Sequence, residues 1–358
     1  MPQLRKDPVL DRWVIVAAER GDRPFSFDPP PNEPEGGFCP FCAGNEDKTP
    51  KEVWAVREEG SRPDGPGWQV RVVPNKYPAL AIEGGLERRG FGLYDMMNGI
   101  GAHEVIIESP DHRFRLCDAS ESHMLNILAA YKERIKDLRL DDRLRYALVF
   151  RNYGQRAGAS LGHPHSQLIA LAITPKIVKD KLNAALAYYR DKERCVFCDI
   201  ISQELHTGER VVAESEHFVA LCPFAARFPY EVVIFAKQHC HDFCLMDDTL
   251  LAAFGRMLKD TLRRVDRALK SPPYNFVLHT APNTAPRPGR PDYWGTLPLD
   301  YHWHLELLPR VTRTAGFEWG TGFYINPVAP EFAAERLRQC GAERTPETAA
   351  DTAVASDQ

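Results

Sequence analysis

FRNYGQRAGASLGHPHSQ, residues 150–167, reads as a strand that feeds a glycine-rich loop and leaves it through two histidines. The strand is the apolar run YALVFRN, 146–152. Gly154, Gly158 and Gly162, with Ala159 and Ser160 between them, let backbone N–H groups approach an anion closely. The loop then delivers His163-Pro164-His165. In an extended segment residues i and i+2 share a face, so His163, His165 and Gln167 point the same way. That spacing suits a division of labour. His163 binds a metal and anchors the segment, His165 addresses the ligand, and the Gln167 amide hydrogen-bonds a phosphoryl oxygen. A neutral imidazole is a good nucleophile toward phosphorus near pH 7, which makes His165 the candidate nucleophile.

Moving outward, the chain repeats itself. A first copy runs from CPFC (39–42) through HEVIIESPDH, ending at His112. A helix capped at Ser120–Glu121 follows, with Met124, Leu125, Ile127, Leu128 and Tyr131 near helical spacing, and then the segment above. A second copy runs from CVFC (195–198) through HFVALCPFA (217–225) and YEVVIFAKQH, ending at His239. It continues with a helix at 247–269 capped by Asp247 or Asp248, YNFVLH (274–279), and His302-Trp303-His304. The shared order predicts an internal duplication. The expected fold is α+β, with two similar halves, 1–170 and 171–340, each an antiparallel sheet with packed helices. A linker is expected near 170–192, proline-rich loops at 22–37 and 281–298, and a disordered tail at 341–358. Tyr293 and Trp294 of the second loop are candidates to cover a ligand.

Each C-x-x-C pair presents two thiolates to one tetrahedral ion, and later histidines close the shell. The first expected site is Cys39, Cys42, His112 and His163; the second is Cys195, Cys198, His239 and His302. Sulfur with imidazole selects zinc, and four protein ligands make each ion structural. A redox C-x-x-C is the competing reading, and it leaves the histidines without a role. The remaining cysteines, 117, 222, 240, 244 and 340, read as small hydrophobes, and His241 ranks below His239 as a ligand. Hydrophobic residues at 44% and charged residues at 26% describe an ordinary globular protein, and a net charge of −4 argues against a basic nucleic-acid surface. Without a bilayer-length apolar run or a signal-peptide core at MPQLRKDPVLDRW, the expectation is a cytoplasmic protein with no membrane partner.

GASLGHPHSQ (158–167) closely resembles the active-site signature of the galactose-1-phosphate uridylyltransferase family, the transferase branch of the histidine-triad superfamily. The similarity extends from RKDPVLDRWVIV (5–16) to GFEWGTGFYINP (316–327), and Gln167 stands where the hydrolase branch has a third histidine. The resemblance implies two histidine-triad-like halves and a ping-pong exchange of UMP between UDP-glucose and galactose-1-phosphate. It also implies a homodimer whose sites draw on both subunits. By position, His165 matches the nucleophile and Gln167 the residue that holds the phosphoryl group. Asn152, Gly158 and Ser160 match phosphate-loop contacts, Arg20 and Arg23 an arginine pair near the nucleotide, and Asn75 a nucleotide-binding position. Phe317 and Glu318 match the hexose-binding segment. The C-x-x-C at 195–198 resembles the two-zinc subgroup that includes plant ADP-glucose phosphorylases, which leaves uracil and adenine both open. A nucleotide hydrolase, and a zinc-knuckle nucleic-acid binder using Phe41 and Phe197, are the other readings. Glu306 stands where Gln167 stands in the first copy, and the second copy lacks the glycine loop, so that half is expected to be silent.

Overall fold

The computed structural model describes residues 1–22, 37–286 and 294–341. Arg23, the tail beyond Gly341 and the centres of both proline-rich loops (23–36 and 287–293, with Tyr293) lie outside the described residues.

In chain order the first half contains β1 (Gln3–Lys6), β2 (Trp13–Val16), β3 (Trp54–Arg57), β4 (Trp68–Pro74), β5 (Arg89–Phe91), β6 (Tyr94–Met96) and β7 (Gly101–Ile107). It closes with α1 (Glu121–Leu138), β8 (Tyr146–Tyr153) and β9 (His165–Leu171). Then come α2 (Lys176–Lys192), α3 (Val196–Thr207), β10 (Val211–Glu214), β11 (Phe218–Leu221), β12 (Val232–Ala236), α4 (Asp248–Leu269) and β13 (Tyr274–His279). The chain ends through α5 (Leu297–Asp300), β14 (His304–Pro309), α6 (Gly316–Thr321), β15 (Tyr324–Asn326) and α7 (Pro330–Gly341).

The two long helices begin where their caps place them. The Ser120 hydroxyl accepts from the His123 N–H at the start of α1, and the Asp247 carboxylate accepts from the Leu250 N–H at the start of α4. Each buries one stripe: Ile127, Leu128, Tyr131 and Ile135 on α1; Leu251, Phe254, Leu258 and Leu262 on α4. The helices pack on each other and on one face of the sheet, against Ile106, Val149 and Leu168 from the first half and Ile234, Phe276 and Leu307 from the second. The stretch expected as a linker is largely the helix α2. Its Val178, Leu182 and Ala185 recur at helical spacing and bury with Phe197, Val219 and Phe235 on the opposite sheet face of the second half.

The α+β architecture is as expected, but the two sheets are one. A ten-stranded antiparallel sheet runs β10-β11-β12-β14-β13-β8-β9-β7-β4-β3, with β8 and β13 pairing across the middle in the register Asn152↔Asn275. Two half-sheets would each leave an open edge there; pairing covers both. A small sheet, β1-β2-β15, includes the parallel pair β2–β15, and β5 and β6 form a hairpin. Among the described residues no helix is long and apolar enough to cross a membrane.

Charge also joins the halves. Arg139, which caps the end of α1, donates to both oxygens of Asp242 (2.6 and 3.2 Å) and to the Ala281 carbonyl. Asp242 also accepts from the Thr280 hydroxyl and the Cys244 N–H. Removing one partner of this partly buried pair leaves the other without its counter-charge. Arg139→Met is therefore expected to cost about 1–3 kcal/mol, read as a lower midpoint of urea unfolding.

Candidate active site and metal centres

Alternation along β9 decides which side chains meet. Ser166, Leu168 and Ala170 face α1, so His165 and Gln167 occupy the other face. His165 is 6% exposed. Its Nδ1 lies 2.7 Å from the His163 carbonyl oxygen, which can only accept. The ring proton is therefore on Nδ1, and the Nε2 lone pair is free to attack. Burial chiefly lowers the His165 pKa; the hydrogen bond to His163 opposes this and the Arg151 cation reinforces it. The Phe41 ring packs edge-on against the imidazole, with centroids 5.6 Å apart. On the helix side of β9, Ser166 donates to Glu108, which pairs with Arg151, and all three are buried.

Gln167 Oε1 lies 2.9 Å from His103 Nε2 on the neighbouring strand β7. Asn75 follows β4, with its N–H on the His103 carbonyl and its side-chain oxygen accepting from the Tyr77 N–H. The glycine-rich loop leaves β8 at Gly154, whose φ of 81° and ψ of 152° belong to a region essentially reserved for glycine. A short 3-10 turn, Gln155–Ala157, ends at Gly158 in the left-handed conformation, φ 89°. Asn275 in the second half holds this loop: its amide donates to Asn152 Oδ1 and to the Ala157 carbonyl, both at 2.8 Å. Ser160 is exposed on the same loop.

Both expected ligand sets come together. The donor atoms of Cys39, Cys42, His112 and His163 lie within 4.8 Å of one another, as do those of Cys195, Cys198, His239 and His302. In the first set Cys42 Sγ is 3.4 and 3.6 Å from the Nδ1 atoms of His112 and His163, which are 3.3 Å apart. In the second, Cys198 Sγ is 3.2 and 3.7 Å from the Nδ1 atoms of His239 and His302. A tetrahedral ion bonded at about 2.0–2.3 Å requires edges of about 3.3–3.8 Å. The far nitrogens of His163 and His239 donate to the carbonyls of Ser109 (2.8 Å) and Pro298 (3.0 Å), which aims Nδ1 at the cluster. Burial, with the neighbouring Cys39 sulfur, pushes the Cys42 thiol up to about 11. Paired thiolates there require a cation between them. Cys117, Cys222 and Cys244 are buried, whereas Cys240 and Cys340 are half-buried.

The second half repeats the frame with different partners around its second histidine. His304 Nδ1 is 3.0 Å from the His302 carbonyl, and Phe197 packs on the ring. Its Nε2, however, takes a 2.8 Å hydrogen bond from Lys181 of α2, whose ammonium also pairs with Glu306. Arg227 adds a second cation to Glu306. Burial, then Lys181, lowers His304 to about 3. His279, His304 and Glu306 are close enough to suggest a third metal site, but the Lys181 ammonium already supplies the positive charge.

Three further expected residues stand elsewhere. Phe317 and Glu318 lie on α6, which contacts β15 of the small sheet; Phe317 is 44% exposed, and Glu318 accepts from the Ala315 N–H at the helix start. Arg20 is exposed on a 3-10 turn after β2. His103, Lys181 and Asn275 were not singled out by sequence reasoning. His103 opens the run HEVIIESPDH, and alternation puts it on one face with Val105 and Ile107; only the register of β7 against β9 shows that this face is Gln167's.

A family model described as galactose-1-phosphate uridyl transferase, N-terminal domain, matches residues 1–175, and its C-terminal counterpart matches 181–343. An ADP-glucose phosphorylase of Arabidopsis thaliana is 37% identical over 94% of this chain and 93% of its own length. A galactose-1-phosphate uridylyltransferase of Thermotoga maritima is 30% identical over 96% of this chain and all of its own length. The crystal structure of an Arabidopsis thaliana ADP-glucose phosphorylase with bound ADP-glucose superposes with a TM-score of 0.78 at 34% identity, covering 95% of this chain and 98% of that one.

A Cβ at Gly154 would sit 2.9 Å from the Pro273 Cβ, besides occupying a strained backbone region. Gly154→Ala is expected to destabilise the fold by about 1–3 kcal/mol, seen as a lower thermal midpoint.

Proposed function

The chain belongs to the galactose-1-phosphate uridyl transferase family, and on that premise we propose that it exchanges UMP between UDP-glucose and galactose-1-phosphate. The observation that carries this reading is the locked tautomer of His165, which leaves Nε2 unprotonated on the strand face it shares with Gln167. His165 Nε2 attacks the α-phosphorus of UDP-glucose. An N–P bond forms, the P–O bond to the second phosphate breaks, and glucose-1-phosphate leaves. A phosphate oxygen of galactose-1-phosphate then attacks the same phosphorus, the N–P bond breaks, and His165 returns to its starting state. Gln167, Ser160 and loop N–H groups offer donors to the charge that develops on the transferring group, where preorganised donors matter most. Asn75, Asn152 and Gly158 position the nucleotide and its phosphates.

Zinc fits both Cys2His2 sets, Cys39-Cys42-His112-His163 and Cys195-Cys198-His239-His302, because sulfur with imidazole suits it and four ligands close the shell. Its contribution when bound is to hold the scaffold. The exposure of Phe317 on α6 supports a homodimer whose sites draw on both subunits. The reading places the enzyme in the cytoplasm, where its free cysteines stay reduced.

The 37% identity to an ADP-glucose phosphorylase favours a second reading. There the same histidine takes AMP from ADP-glucose and passes it to phosphate.

Intact-protein mass spectrometry after incubation with each sugar nucleotide separates the two. A UMP-sized adduct that is absent in His165→Gly is expected. An AMP-sized adduct moves the protein to the second reading, and no adduct from either overturns nucleotidyl transfer. Metal analysis is expected to find two zinc ions per chain and one in Cys42→Ser, with chelation unfolding the protein.

A further inference from the structure

A primary carboxamide has two nearly isosteric orientations, and only one serves a phosphoryl group. With N–H turned to the phosphoryl oxygens Gln167 donates; with the carbonyl turned to them it repels. The site therefore needs something that distinguishes the two ends of this side chain.

His103 stands two residues before Val105, the residue paired with Gln167 across β7 and β9. The two side chains are diagonal neighbours on one face. The His103 Nδ1 atom lies 3.2 Å from the Ala79 backbone nitrogen, which can only donate. An imidazole that accepts at Nδ1 carries its proton on Nε2. His103 Nε2–H therefore donates across 2.9 Å to Gln167, and the atom it meets must be the oxygen. The Gln167 amide nitrogen is left facing away from His103. The Asn75 amide nitrogen is 3.2 Å from the same His103 Nε2. The Asn75 oxygen is held by the Tyr77 N–H, which turns the Asn75 amide nitrogen toward the ring and in competition with the Ala79 N–H; the Ala79 N–H belongs to the backbone and cannot turn away, so it decides the tautomer. A single backbone N–H at Ala79 thus sets a ring tautomer, and the ring sets an amide.

We infer that His103 is a positioning residue, which orients the Gln167 carboxamide so that its N–H group faces the phosphoryl group in transfer. It acts through Gln167. The inference rests on nucleotidyl transfer through His165.

The test is a double-mutant cycle on the single-turnover rate of adduct formation, using whichever of UDP-glucose and ADP-glucose labels the wild-type protein. Removing one transition-state donor commonly costs about 100- to 1,000-fold in rate, so freeing its orientation in His103→Ala is expected to cost about 10-fold or more. Half-saturation by the sugar nucleotide should move by less than about 2-fold, because the loss falls on the transition state. In a Gln167→Ala background the same substitution should cost nothing further. His103→Gln, which retains an N–H that reaches Gln167, should recover part of the rate, and it completes the same cycle if the alanine variant does not fold. Equal slowing in both backgrounds, or no slowing in either, overturns the positioning role while the wild-type adduct persists. Absence of an adduct on the wild-type protein overturns nucleotidyl transfer itself, and this inference with it.

Discussion

The pairing of β8 with β13 is the contact on which the rest of the structure depends. It joins the strands of the two halves into one sheet and hides an edge on each. It also reaches the site. β8 is held on both sides, by β9 and by β13, so the loop that leaves it at Gly154 starts from a fixed point. The register sets Asn275 opposite Asn152, which lets one amide from the second half tie down a loop of the first. Pro273, just before β13, fills the space where a side chain at residue 154 would have gone. The second half therefore serves the site by holding it in place.

The halves share a frame and differ at one decisive position. In both, the phenylalanine of the C-x-x-C knuckle packs on the second histidine of H-x-H, and the carbonyl of the first histidine holds the Nδ1 proton of the second. Two residues on, the first half has a neutral amide, Gln167, and the second has a carboxylate, Glu306. A buried carboxylate needs cations, and Lys181 and Arg227 provide them. Lys181 then takes the Nε2 lone pair that a nucleophile would need. With an acid in place of the amide, His304 thus has its Nε2 engaged by a neighbouring cation.

Much of this was legible in the chain. The two Cys/His clusters could be read because C-x-x-C and H-x-H are local patterns, and the matching order of elements because its parts recur along the chain. The helix starts at Ser120 and Asp247 could be read because capping is a short-range interaction. What escaped shares a different property. The seam between halves, the tie from Asn275 and the contact between His103 and Gln167 depend on strand register, which links residues 64 to 123 positions apart. The helix α2 was passed over because its charged residues masked a narrow buried stripe. Lys181 is one of those charged residues, and only its burial against Glu306 gives it a role.

The partner of His165 Nδ1 is a neutral carbonyl, with no carboxylate in its place. In hydrolytic triads a carboxylate at that position stabilises the imidazolium. Here a ring that takes up a phosphoryl group gains positive character with only a dipole to offset it. The covalent intermediate of the proposed reaction is thereby kept high in free energy, and the ring remains a good leaving group. In the proposed reaction a site built this way does not trap the group it carries, and the ring is freed for the next turnover.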